Sequence, residues 1–177
     1  MKFSVGLVLL WITSNTLGAN FRGLGDLAGG TFLSVATGVS LDGQVVVGYS
    51  ASSNGTEAVR WSAGTGLLGL SDLAGGNFFS AAYGVSPEGT VIVGEGRSAS
   101  GREAFRWTEA GGMVGLGDLP GGAFNSAAFA VSSNGSVIVG EGISSLSGTR
   151  QEAFRWTSAA GMQGLGDLPG GNFVSVA

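Results

Sequence analysis

Gly115-Leu116-Gly117-Asp118-Leu119-Pro120-Gly121-Gly122 decides the fold, because near-copies of it stand at Gly23 to Gly30, Gly69 to Gly76 and Gly164 to Gly171. The copies start at 23, 69, 115 and 164, spacings of 46, 46 and 49 residues, and the sequence between two copies is itself repeated. A fixed period of this size marks a repeat architecture, in which one supersecondary unit recurs and buries its faces against its neighbours. The longer third interval can be traced. Gly48 and Glu57, like Gly94 and Glu103, are nine positions apart, whereas Gly140 and Glu152 are twelve apart, so the insertion lies within Ser144 to Gln151. Loops accept insertions that paired strands do not, which makes this stretch a surface loop.

Within one unit the pattern predicts four strands. In the first, Asn77 to Ser86, Phe78, Ser80, Ala82 and Gly84 alternate with Phe79, Ala81, Tyr83 and Val85. Asp42-Gly43, Glu88-Gly89 and Asn134-Gly135 then predict a two-residue hairpin turn. The second strand, Thr90 to Glu95, holds Val91-Ile92-Val93, a β-branched run without alternation that suits a strand covered on both faces. A variable Ser/Gly loop leads to the third, Arg102 to Thr108, and a glycine turn to the fourth, Met113 to Leu119, which runs into the opening motif. Four short antiparallel strands in about 46 residues is the size of a β-propeller blade. The fold class is therefore all-β, with units starting near 23, 69 and 115, a truncated unit from 164, and a partial or open arc of blades. A parallel β-helix is the alternative, and the hairpin turns favour the propeller.

Composition narrows the chemistry. Glycine makes up 35 of 177 residues, about a fifth, which fits many tight turns and opposes helix at roughly 1 kcal/mol per interior position. Eight Lys and Arg against a net charge of −4 leave no basic stripe for nucleic acid. Cysteine and histidine are absent, which removes disulfides, thiolate metal sites and most catalytic triads. No cofactor is expected.

Residues 1–18 stand outside the array: Lys2, an apolar run from Phe3 to Ile12, and a small polar tail ending at Gly18 read as a secretory signal peptide. The run is too short to span a bilayer, so no transmembrane segment is expected after its removal, and the array occupies 22–177. The expected location is secreted or at the cell surface.

Gly-Leu-Gly-Asp-Leu-Pro-Gly-Gly, followed by Phe-x-Ser-x-Ala, Val-Ser-x-x-Gly-x-Val-x-Val-Gly and Glu-Ala-Phe-Arg-Trp-Thr, resembles the HAF-family extracellular repeat over residues 22–177. The resemblance implies an exported bacterial β-repeat protein. Glutamate (Glu57, Glu103, Glu152) stands where the family has the histidine of its His-Ala-Phe triplet, so no role of that histidine carries over.

The recurrent polar residues read as structural. No helix follows the glycines of the motif, which argues against a phosphate loop, and Asp26, Asp72, Asp118 and Asp167 are expected to accept backbone N–H bonds beside Gly25, Gly117 and Gly166. One Asp per unit is too little for a calcium ring, so no metal is expected. Arg60, Arg106 and Arg155 are expected to pair with an acid such as the motif Asp, and Trp61, Trp107 and Trp156 to pack between units. Asn54-Gly55-Thr56 and Asn134-Gly135-Ser136 match the glycosylation pattern but serve as turns.

Recognition is left to the variable loops, with Asn54, Arg97, Arg102 and Arg150 as candidate binding residues for a surface or glycan ligand. The expected function is a non-enzymatic surface scaffold or binding module. The alternative is part of a propeller-type carbohydrate-active enzyme, with Glu95 and Glu141 as its carboxylates. Three full units fall short of closure, so the chain is expected to be a fragment, or else an arc that associates edge to edge.

Overall fold

The computed structural model describes residues 22–170 and 173–177, so the expected signal peptide lies outside the described residues. They form twelve strands and no helix, in three successive antiparallel meanders. The first unit holds β1 (Gly29–Val39), β2 (Val45–Ser52), β3 (Gly55–Ser62) and β4 (Gly66–Gly69). The second holds β5 (Gly75–Val85), β6 (Val91–Ser98), β7 (Gly101–Thr108) and β8 (Gly112–Gly115). The third holds β9 (Gly121–Val131), β10 (Ile138–Ser144), β11 (Glu152–Thr157) and β12 (Gly161–Gly164). Pairing within each unit is antiparallel throughout, unlike the coils of a β-helix. Single parallel bridges, Thr56 with Phe79 and Arg102 with Asn125, join the units into one open mixed sheet.

Val91, Ile92 and Val93 are buried on both faces of β6, as their unbroken β-branched run predicts. Glycine opens the way for close neighbours. A Cβ on Gly94 would lie 2.0 Å from the Ala81 carbonyl oxygen, and Gly48 and Gly140 repeat this at 1.8 and 2.0 Å from Val35 and Ala127. The alternation read for the first strand breaks at a register shift between Ala82 and Gly84, and Ser80, Ala81 and Ala82 are all buried.

Two expectations about local structure need correction. The connection after the first strand is longer than a two-residue turn: Ser40 to Gln44 separate β1 from β2, the Gly43 N–H donates to the Ser40 carbonyl at 3.0 Å, and Gly43 takes φ 71°. Asp42 keeps negative φ and instead accepts from the Ser40 hydroxyl and the Gln44 N–H, which hold its carboxyl below the usual range. The true two-residue hairpins are Ser53-Asn54 and Ala99-Ser100, between the second and third strands. The fourth strand, moreover, stops at Gly115 and leaves Leu116 to Leu119 outside the ladder, because Gly117 turns to φ 81°.

Three recurrent side chains tie this turn down. The Ser126 hydroxyl donates to the Gly117 carbonyl at 2.7 Å and accepts the Ala104 N–H at 3.0 Å. Glu103 Oε1 accepts the Gly117 N–H at 3.0 Å, and Asp118 Oδ2 accepts the Asn125 N–H at 3.0 Å. The same bonds recur through Ser80, Glu57 and Asp72, and through Ser175, Glu152 and Asp167. Gly115 leaves space for the Glu103 carboxylate, since a Cβ there would stand 2.1 Å from Oε1 and would oblige that side chain to move. At the position of Gly25, Gly117 and Gly166 the second motif carries Ser71, held at φ 66°.

Apolar packing runs between units. Trp107 and Met113 lie against the cluster that joins the first two units, and Trp156 and Met162 against the one that joins the last two, as expected of the tryptophans.

Ser126→Ala strands a buried N–H and a carbonyl together, so urea unfolding should show a loss of about 1–3 kcal/mol, while Ser133→Ala in the exposed turn changes stability by less than about 0.5 kcal/mol. Ser71→Gly relieves left-handed strain of about 1–2 kcal/mol against a glycine entropy cost of about 0.5–1 kcal/mol. Its melting temperature should therefore rise by a few degrees; an unchanged or lower value would show that Ser71 is unstrained.

Candidate functional site

Antiparallel order fixes which loops share an end. The loops between second and third strands and the glycine motifs lie at one end of the sheet, and the turns after the first and third strands lie at the other. The residues that differ between units gather at the first of these ends.

Arg102, at the start of β7, reaches across the seam between the second and third units. Its guanidinium pairs with Glu95 of β6, with Glu141 of β10 at 3.1 Å, and donates to Asn125 Oδ1 of β9 at 2.9 Å. The side chains of Arg102, Glu95 and Glu141 are 19%, 9% and 15% exposed. Tyr83 of β5 lies against Glu95, and its ring meets Phe129 at 5.8 Å between centroids. Burial first, and the negative charge of Glu95 second, push the Tyr83 phenol up to about 12.

This cluster is specific to one seam. At the equivalent positions of the seam before it stand Tyr49 for Glu95, Thr56 for Arg102 and Phe79 for Asn125. The ion pairs among the described residues are both made by Arg102. The expected pairing of Arg60, Arg106 and Arg155 with motif acids is therefore not what forms. Those acids are already committed to backbone N–H groups, as Glu103 is to Gly117 and Asp118 to Asn125.

The four candidate binding residues lie at the same end but in different settings. Asn54 sits exposed in the β2–β3 turn, and Arg150 is exposed in the loop of the insertion, Ser145 to Gln151. Arg102 is consumed by the seam. Arg97 is exposed and lies over the Phe79 ring, 5.6 Å from its centroid. It borders a concavity of about 510 Å³ walled by Gly75, Gly76, Asn77 and Ser98 to Gly101. A second hollow, of about 470 Å³, is apolar and lies on the open face of the first unit beside Trp61.

The motif aspartates behave as expected in kind, accepting N–H bonds, but their partner is the next unit's first strand, seven residues on. Asp26 departs from this and accepts the Ser50 hydroxyl at 2.6 Å. Asp118 Oδ1 is buried with no hydrogen-bond partner among the described residues; burial raises its carboxyl, and the Asn125 N–H works against the rise. No group of three acidic side chains is arranged to hold a metal ion among the described residues. Tyr83 and Asn125 were not among the expected site residues. Their signal was available as departures from the repeat, tyrosine where Thr37 and Phe129 stand and asparagine where Phe79 stands.

The sequence matches no family profile and no curated protein. Among solved structures it is similar to TolB from Acinetobacter baumannii, a β-propeller protein, with TM-score 0.53 and 14% identity over 79% of this chain. The chain spans about a third (34%) of the length of that structure, and at this identity the likeness is one of fold.

Tyrosinate absorbance gives a direct check on the cluster. One of the two tyrosines should titrate near 12, against an ordinary value of about 10, and the late phase should vanish in Tyr83→Phe. Glu95→Gln should bring it down only part of the way, because burial remains. The folded value is raised above the unfolded one, so this contribution to stability is complete below about pH 10 and is lost as pH rises towards about 12.

Proposed function

We propose that the chain is an exported repeat protein of the HAF kind, an arc of propeller blades that acts as a non-enzymatic surface scaffold or ligand-binding module. The observation that carries this reading is a division of labour. The recurrent serines, glutamates and aspartates are spent on backbone groups at the joints, while side chains free to meet a ligand, Asn54 and Arg150 on loops and Arg97 near the end of β6, differ between units and lie at one end. A rigid frame with variable loops at one end is how binding surfaces are built. The fold likeness to a propeller protein supports the blade reading. No helix among the described residues is long and apolar enough to cross a membrane.

The concavity beside Arg97 favours a polar ligand, with a glycine-lined wall that admits close backbone approach and a cation set against an aromatic face. Glu95 and Glu141, the carboxylates an enzymatic reading requires, are both turned onto Arg102 and do not flank an open cleft.

Export should leave a mature protein that begins at Ala19, read by mass spectrometry of the extracellular fraction. On a glycan array the purified chain should retain a subset of polar glycans without releasing sugar, and Arg97→Ala should weaken retention at least tenfold. Release of product would overturn the non-enzymatic reading, and retention indifferent to Arg97 and Asn54 would remove the loops from recognition.

A further inference from the structure

Every unit carries the same bulge between its first two strands. In the second unit Gly75 pairs with Ser98 and Ser80 with Gly96, so the four residues 76–79 of β5 stand opposite Arg97 alone. The first unit sets residues 30–33 against Ala51, and the third sets 122–125 against Ile143. The backbone frame is thus repeated while the side chain facing it is not. Ala51 is half-buried, Ile143 is buried, and Arg97 is exposed at the concavity of about 510 Å³. Its neighbours depart from the repeat as well: Leu33 and Asn125 stand where Phe79 does, and Thr31 and Ala123 where Asn77 does.

The cation at this bulge has no acid of its own. Arg102 stands directly across the β6–β7 ladder from Arg97 and takes both Glu95 and Glu141, so neither carboxylate is left for Arg97, and the ion pairs among the described residues are both made by Arg102. Asp72 gives its two oxygens to the Leu73 and Phe79 N–H groups. Arg97 rests instead on the Phe79 ring. A guanidinium held against a ring keeps its fork of N–H donors available to a carboxylate, which it can meet with two parallel bonds.

The rest of the wall is small and polar. Gly75 and Gly76 leave backbone open to close approach, Asn77 offers an exposed amide, and the Ser98 hydroxyl, which accepts the Ser100 N–H at 3.2 Å, keeps its proton to donate. These groups suit a ligand rich in hydroxyls, and the volume falls in the range of small-ligand sites, about 300–1,000 Å³. A peptide carboxylate fits less well, because β5 pairs with β6 and β6 with β7, which leaves no free strand edge at the concavity for a peptide backbone.

We infer that the concavity of the second unit binds a sugar that carries a carboxylate, a uronate residue of an acidic glycan, with Arg97 on the carboxylate and Asn77 and Ser98 on ring hydroxyls. This rests on the reading of the chain as a binding module and narrows it to one ligand class and one unit. Phe79 is a positioning residue, since it holds the guanidinium and leaves the sugar to the polar groups.

The test is isothermal titration calorimetry of the purified full chain with trigalacturonate and trimannuronate, their carboxyl-reduced neutral counterparts, and triaspartate. At least one uronate should bind at a single site, with the neutral sugars and the peptide about tenfold weaker or more, the order of one charge-assisted bidentate contact. Arg97→Gln, at an exposed position, should leave far-ultraviolet circular dichroism unchanged, weaken uronate binding about tenfold and leave neutral sugars unaffected, while Arg97→Lys, which keeps the charge and loses the fork, should fall between. Leu33→Phe with Ala51→Arg places the same pair at the first unit's bulge and should raise the stoichiometry from one to two. Neutral sugars or triaspartate binding as tightly as the uronates, or uronate binding indifferent to Arg97→Gln, would overturn the inference. Failure of every uronate beside retention of neutral glycans on the array would remove the carboxylate and leave the binding-module reading standing; retention of no glycan at all would remove both.

Discussion

A buried hydroxyl holds each joint of this protein. Ser80 and Ser126 are fully buried, and each joins three segments: its own first strand, the third strand of the unit before, and the glycine turn between them. Burying a hydroxyl is unfavourable unless both its donor and its acceptor capacity are used, and here both are. The arrangement leaves little freedom elsewhere. The glycine turn must bring its carbonyl to the serine, with φ 81° at Gly117, and must bring its N–H to Glu103, whose carboxylate lies where a Cβ of residue 115 would stand.

The charged residues follow from the same constraint. A glutamate in the third strand and an aspartate after the turn each satisfy an N–H that no strand pairs, so the recurrent acids are structural acceptors. What the triplet position asks of its side chain is an acceptor at 3.0 Å from a backbone nitrogen, a task glutamate performs in all three copies. Among the described residues, charge pairing is thus confined to the one seam where Arg102 enters. There two carboxylates share one guanidinium in a largely buried setting, an arrangement that fixes the relative position of two units more than it adds net stability.

The architecture was legible in the sequence where the repeat spoke for it. The period, the β-branched Val91-Ile92-Val93 run and the recurring tryptophans predict strands, their burial and their packing between units, and the described residues form these at Trp107 and Trp156, whereas Trp61 lines a hollow on the first unit. What stayed hidden depended on pairing across the period. Nothing local in Phe-x-Ser-x-Ala tells that its serine reaches the preceding unit, 22 positions back at Ala104. Arg106 recurs and Arg102 does not, so recurrence pointed to the wrong arginine; Thr56 and Gln151 at the equivalent positions hid that a unique residue could anchor a unique seam. The turns were misplaced for a simpler reason, since Asp-Gly at a strand end serves a five-residue connection as readily as a two-residue one once a serine caps it.

A repeat of this kind also has a direction. Here the units are nearly identical through their strands, so each presents a tryptophan-bearing face on one side and a leucine-bearing face on the other. Fully burying one leucine is worth about 1.5–3 kcal/mol, and Leu165 and Leu168 forgo most of that where Leu116 and Leu119 realise it. The sequence economy that makes each unit fit the next therefore makes each seam a contact between unlike faces, tryptophan against leucine. Stability in this protein rests on the contact between unlike faces, so a change to a seam residue common to all units acts at every seam at once.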